Sequence, residues 1–227
     1  MSRRAHVSAV AALEEPTRRR VYEHVARQPV PVSREDVAEA LRLPRSTAVF
    51  HLDRLVAEGL LDVVQERRTG RSGPGAGRPS KLYCRSGQQI AVSLPERRYD
   101  LAGQLLAAAV QESERTGEPP RTALNRRASQ LGKELGEAAS AAPTARDSRD
   151  TVSRTLEEYG FEPRRDDPGI VLANCPFHAL ARDHTDLVCG MNLCLLTGLL
   201  DGLAVTDLNA RLNPAPGHCC VRIDPES

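Results

Sequence analysis

Residues 33–59 constrain this chain more than any other stretch, because they carry the start and stop signals of two successive helices. Ser33 precedes Glu35 and Asp36, a hydroxyl N-cap followed by acids in the first turn. Val37, Ala38 and Leu41 give that short helix an apolar side. Leu43 and Pro44 make a turn. A second helix is expected over residues 44–58, with proline tolerated in its first turn and Gly59 as its stop. Upstream, Val10, Leu13, Val21 and Val25 recur at helical spacing, which predicts a single helix over residues 9–27. Thr17-Arg18-Arg19-Arg20 forms a basic patch along it.

The faces of the second helix differ in chemistry. At about 100° per residue, Ala48, Val49, Leu52, Leu55 and Val56 fall on one side. Ser46, Thr47, Phe50 and Arg54 fall on the other, with Arg45 and His51 at its edges. A core-facing stripe backed by hydroxyls, guanidinium groups and one aromatic suits a helix lying in a DNA groove. Arginine pairs with guanine edges, serine and threonine with phosphate or base, phenylalanine with a thymine methyl. A short apolar strand, Leu60 to Val64 by residue type, follows. Arg67, Arg68, Arg71, Arg78 and Lys81 come next with no acid between them and with Gly70, Gly73, Gly75 and Gly77 interspersed. Leu82 and Tyr83 start a second strand. A hairpin with such a tip follows a phosphate backbone or enters a minor groove.

Helix, short helix, recognition helix and basic hairpin together make a winged helix-turn-helix. The segment Ser46-Thr47-Ala48-Val49-Phe50-His51-Leu52-Asp53-Arg54-Leu55 resembles ArsR/DeoR-like bacterial regulators, as do Glu58-Gly59-Leu60-Leu61 and Gly77-Arg78-Pro79-Ser80-Lys81-Leu82-Tyr83. That resemblance spans about residues 9–90. It implies a cytoplasmic, homodimeric protein that binds double-stranded operator DNA.

Charge is divided along the chain. Residues 1–100 hold 18 Lys and Arg against 12 Asp and Glu, and the remainder holds 13 against 18. The halves are thus +6 and −5, which pairs a basic binding half with an acidic one. Aromatic residues are only 3% with no Trp, so stacking platforms for single-stranded nucleic acid are excluded. No apolar run reaches the ~18 residues of a membrane span, and the charged first 30 residues lack the apolar core of a secretory signal. No phosphate loop or paired-carboxylate site is evident, and no enzyme activity is expected.

In the middle, Leu101, Leu105, Leu106 and Val110 form one helical stripe, interrupted at residues 117–120. Leu124, Ala128, Leu131 and Leu135 form another, a short heptad-like seam. Val152, Leu156 and Tyr159 mark a third helix ended by Gly160. The expected organisation is α+β in three parts. Residues 1–95 are the winged domain, 96–145 a helical linker and dimerisation region, and 146–227 a small α/β domain.

Five of the six cysteines lie after residue 170: Cys175, Cys189, Cys194, Cys219 and Cys220. Such clustering points to metal or redox chemistry more than to a disulfide framework. Ile170-Val171-Leu172 reads as a strand that delivers Cys175, with His178 three residues on. A helix follows Asp186 with Cys189 in its first turn, where the helix dipole is expected to lower the thiol pKa. Cys194 lies about 140° further round and belongs to the core. Residues 218–223 read as a final strand, on which Cys219 and Cys220 point to opposite faces. The site then takes either Cys219 alone or His218 with Cys220. Cys84, on the wing strand, reads as structural.

The run Cys175-Pro176-Phe177 with Leu180, Ala181 and His184, Cys189, and Gly217-His218-Cys219 resembles the C-terminal sensor domain of SufR-type repressors of iron–sulfur assembly genes. The resemblance covers about residues 150–225. It implies that Cys175, Cys189 and Cys219 hold an iron–sulfur cluster of the [4Fe–4S] type. The fourth ligand is open among His178, His184, His218 and Cys220. Three cysteines with His178 equally describe a zinc site, and a metal-free thiol switch is the remaining alternative.

Overall fold

The computed structural model describes residues 3–66, 80–140 and 147–226. The chain divides into two compact units, residues 1–92 and 93–227. The helices expected to form a separate linker therefore belong to the second unit.

The first unit is built from α1 (Arg3–Ala12), α2 (Pro16–Ala26), β1 (Val32–Ser33), α3 (Arg34–Leu41), α4 (Arg45–Ala57), β2 (Leu61–Glu66) and β3 (Ser80–Arg85). The single helix expected over residues 9–27 is two helices. Pro16 starts α2, and the Glu15 carboxylate caps it by accepting from the Thr17 and Arg18 backbone N–H groups, at 2.9 and 2.6 Å. Ser33 caps α3 as expected, and with Asp36 it forms a reciprocal capping box. Arg42 takes the left-handed conformation at the end of α3, which turns the chain into α4. Pro44 proves to be the N-cap of α4 rather than a residue of its first turn. The strands form an antiparallel sheet in the order β1-β3-β2. The short β1 escapes a pattern-based reading because two residues carry no periodicity. Val21, Val25, Val37, Ala48, Leu52, Leu55 and Leu61 fill the core beneath the sheet.

The second unit contains α5 (Tyr99–Thr116), α6 (Pro120–Ser140), α7 (Ser148–Glu158), β4 (Pro163–Asp166), β5 (Gly169–Leu172), α8 (His178–Asp183), α9 (Thr185–Gly202), β6 (Leu208–Leu212) and β7 (Val221–Pro225). Its four strands are all antiparallel, in the order β4-β5-β7-β6. Leu124, Leu156, Ile170, Leu172, Phe177, Leu196 and Ile223 are buried in one core.

Helices α6 and α9 pack backbone to backbone. Gly132 and Gly136 on α6 face Leu195 and Leu199 of α9, and Gly198 and Gly202 on α9 face Ser129 and Lys133 of α6. Four-residue spacing puts each glycine pair on one face of its helix. A Cβ at these four positions would lie 2.0 to 2.4 Å from a carbonyl oxygen of the other helix. The leucine seam read from the sequence therefore flanks a glycine contact that fixes the helix pair.

Candidate nucleic-acid interface and thiol site

The outward side of α4 carries most of the chemistry expected of it. Arg45, Ser46, Phe50 and Arg54 are exposed and Thr47 is half-buried. Phe50 stands out, a ring 64% exposed on an otherwise polar surface. Two of the cations are already engaged: Arg45 with Glu35 on α3, and Arg54 with Glu58, both at 2.5 Å. Lys81 is exposed on β3, opposite Gln65 of β2. Arg67, Arg68, Arg71 and Arg78 lie outside the described residues.

His51 departs from the expected interface. It is buried, with Nδ1 3.4 Å from the Glu15 carboxylate. The break between α1 and α2 causes this, because it brings the capping carboxylate over the inner edge of α4. The Thr17 backbone N–H foremost holds the Glu15 carboxyl below its usual value of 4.5, with His51 adding to it. A carboxyl lowered on folding stabilises the native state above about pH 4.5, and that contribution disappears as pH falls through its lowered value. Thermal melts should therefore fall between pH 6 and pH 3, and Glu15→Gln should flatten that difference.

The thiols converge because β5 and β7 are antiparallel neighbours. Cys175 lies three residues past the end of β5, and Cys219 lies two residues before the start of β7. The Cys219 N–H donates to the Leu172 carbonyl at 2.7 Å, which ties the two segments side by side. Cys189 enters from α9. Cys175, Cys189 and Cys219 are buried and Cys220 is half-buried. Electrostatic coupling links the thiols in a relay: Cys175 with Cys219, Cys219 with Cys220, and Cys220 with Cys189. The expected alternation of Cys219 and Cys220 does not apply, because β7 begins only at Val221 and both residues precede it. Cys220 thus joins the group together with Cys219.

The histidines do not join it. His178 opens α8 and is exposed, and only its backbone N–H meets the site, donating to the Cys175 carbonyl at 3.1 Å. His184 and His218 are exposed as well. Cys194 is half-buried against the core, and Cys84 lies on β3 with its sulfur 3.9 Å from the Asp62 carbonyl. Among the described residues no three His, Cys, Asp or Glu side chains form a ready-made metal-ion site.

Three of these thiols are pushed toward their protonated form. The hydrogen bond to Cys219, then burial, push Cys175 well above the usual thiol range. For Cys219, the bond from Cys175 lowers the pKa, but the bond to Cys220 and burial outweigh it and push it up to about 12. Burial also raises Cys189, against the lowering expected from the helix dipole. Helix α9 begins at Thr185, so Cys189 is its fifth residue, past the first turn over which the dipole acts.

Two residues invisible to spacing arguments complete the site. Asn192, one turn beyond Cys189 on α9, is fully buried and its Nδ2 donates to the Cys219 sulfur at 3.2 Å. Arg97 binds the Asn174 side chain and donates to the Cys175 carbonyl at 3.3 Å, which sets a positive charge beside the thiols. The Arg98 N–H donates to the Pro176 carbonyl at 3.1 Å, and Asn174 Nδ2 donates to the Glu96 carbonyl at 3.0 Å. Residues 96–98, at the start of the second unit, are thereby stitched to the loop that carries Cys175.

The family described as "Helix-turn-helix domain" matches residues 13–64, which span α2, α3, α4 and most of β2. No curated protein and no solved structure matches the chain. The winged fold of the first unit and the family match identify a helix-turn-helix domain and support a DNA-binding transcriptional regulator. Among the described residues no helix is long and apolar enough to cross a membrane.

Proposed function

We propose that this regulator holds a metal centre on Cys175, Cys189, Cys219 and Cys220, and that the state of this centre controls operator binding by a homodimer. An iron–sulfur cluster is the leading occupant and zinc the alternative. The observation that carries the reading is that three buried thiols from three separate segments, with half-buried Cys220, are electrostatically coupled. Thiols are the donors that a soft metal or cluster takes, and the four sulfurs must draw together to hold one, because among the described residues no three such side chains form a metal-ion site. Arg97 offsets its negative charge, and the Asn192 N–H donates to one sulfur. A bound centre supplies a redox- or metal-dependent constraint on three segments of the second unit. Ligating thiols bind a metal as thiolates, so uptake releases protons and strengthens as pH rises.

On DNA, Arg45, Ser46, Thr47, Phe50 and Arg54 meet the groove, and Lys81 meets the backbone beside it. Arg45 and Arg54 exchange their glutamate partners for DNA. Arg54→Ala should weaken operator binding about tenfold or more and relax preference at one base position. A fluorescence anisotropy titration against the operator and single-base variants checks this; unchanged affinity and preference would remove α4 from the groove.

Anaerobic purification tests the metal reading, with iron, sulfide and zinc counted per chain and DNA binding compared before and after removal. Iron with sulfide supports the cluster, and one zinc supports the alternative. The electrostatic coupling of buried Cys175 and Cys219 favours a second reading, a metal-free thiol switch. In that case chelated protein loses DNA binding on oxidation and regains it on reduction.

A further inference from the structure

Phe50 puts a bare ring on the outward side of α4, 64% exposed among groups that hydrogen-bond. Ser46 and Arg54 lie one helical turn to either side of it, and Thr47 beside it. The His51 ring stands edge-on to it, with 5.3 Å between centroids and 70° between planes. His51 is itself buried, with Nδ1 3.4 Å from the Glu15 carboxylate, so that neighbour is held from behind. The Phe50 ring is thus braced on one side and open on the other. A single exposed apolar side chain is common on a protein surface. This one stands on a helix that lies wholly within the match to the helix-turn-helix family. A major groove admits such a helix. A phenyl ring has no donor or acceptor, so it cannot tell one hydrogen-bonding base edge from another. The alkyl group that a base pair shows in the major groove is the 5-methyl of thymine.

We propose that Phe50 is a specificity-determining residue that reads a pyrimidine 5-methyl group, in operator DNA the methyl of a thymine. This rests on the DNA-binding reading above and names what the helix reads. Phe50 and Arg54 are four residues apart, about 6 Å along the helix axis. The thymine therefore lies within about two base steps of the base that Arg54 reads, at about 3.4 Å per step.

The test uses the full chain and the duplex that it enriches most from a random-sequence pool. In that duplex each thymine in turn is replaced by deoxyuridine, which removes the methyl and keeps the hydrogen-bonding edge. Fluorescence anisotropy reads the affinity. The wild-type chain should bind about fourfold more weakly when the contacted thymine is replaced, with little change at the others. Phe50→Ala should bind the unmodified duplex about tenfold more weakly and no longer distinguish thymine from deoxyuridine. Phe50→Leu should keep part of the distinction, because it retains an apolar surface. Both variants should melt close to wild type, since the side chain is exposed. A wild-type chain indifferent to every replacement would overturn the inference, as would a Phe50→Ala chain that keeps the methyl dependence. A ring that wedges between bases, or one that faces another protein, gives the first of these results. A chain that enriches no duplex would overturn DNA binding itself, and the inference with it. Absence of the methyl effect while Arg54→Ala still weakens binding overturns the inference alone.

Discussion

Gly198→Ala should destabilise the second unit by about 3 kcal/mol, the upper end of the usual range for overpacking. The added methyl would sit 2.0 Å from the Ser129 carbonyl oxygen, and that obstacle is helix backbone rather than a side chain able to turn aside. The helices must separate, and separation also loosens the contacts at Gly132, Gly136 and Gly202. Gly103→Ala is the internal control. Gly103 is an exposed position of α5 with nothing within 4 Å of an added Cβ, so alanine there should stabilise by about 1 kcal/mol through helix propensity alone. Urea unfolding followed by circular dichroism reads both. The same chemical change should have opposite signs on two helices of one unit.

Cys175→Ala should reduce bound metal from stoichiometric to near zero. Cys175 stands at one end of the sulfur relay and is buried, so no water takes the place of its thiolate freely. Cys220→Ala should weaken binding without abolishing it, since three buried thiols remain. Cys194→Ala, Cys84→Ala and His178→Ala should leave metal content unchanged, because those residues stand apart from the sulfurs. Elemental analysis of anaerobically purified variants reads all five. Metal retained at the wild-type level by Cys175→Ala would sink the assigned site.

What the sequence made legible was whatever depends on neighbours in the chain. The Ser33 cap, the apolar face of α4 and the Gly59 stop are local signals, and each appears in the structure where the residues imply it. The approach of Cys175 to Cys219 depends on strand order. The register of neither strand is written within its own four or five residues. His51 was misplaced for a related reason. Its position on the helical wheel is a property of α4, but its burial is imposed by Glu15 from another helix. Asn192 leaves no sequence signal, because one amide inside an apolar helix hardly disturbs its periodicity. The glycine contact of α6 and α9 leaves none either, because only the packing of one helix on the other gives those glycines their role.

The hydrogen bonds at residues 96–98 have a consequence for how a signal travels. Glu96, Arg97 and Arg98 bond to Asn174, Cys175 and Pro176, and they lie on the chain a few residues past Val92, where the first unit ends. On the proposed reading, a change in the shape of the cysteine loop would reach residues 96–98 over a path of a few hydrogen bonds. It need not cross the packed interior of helices and sheet. The interior can then remain rigid while the message passes along its edge.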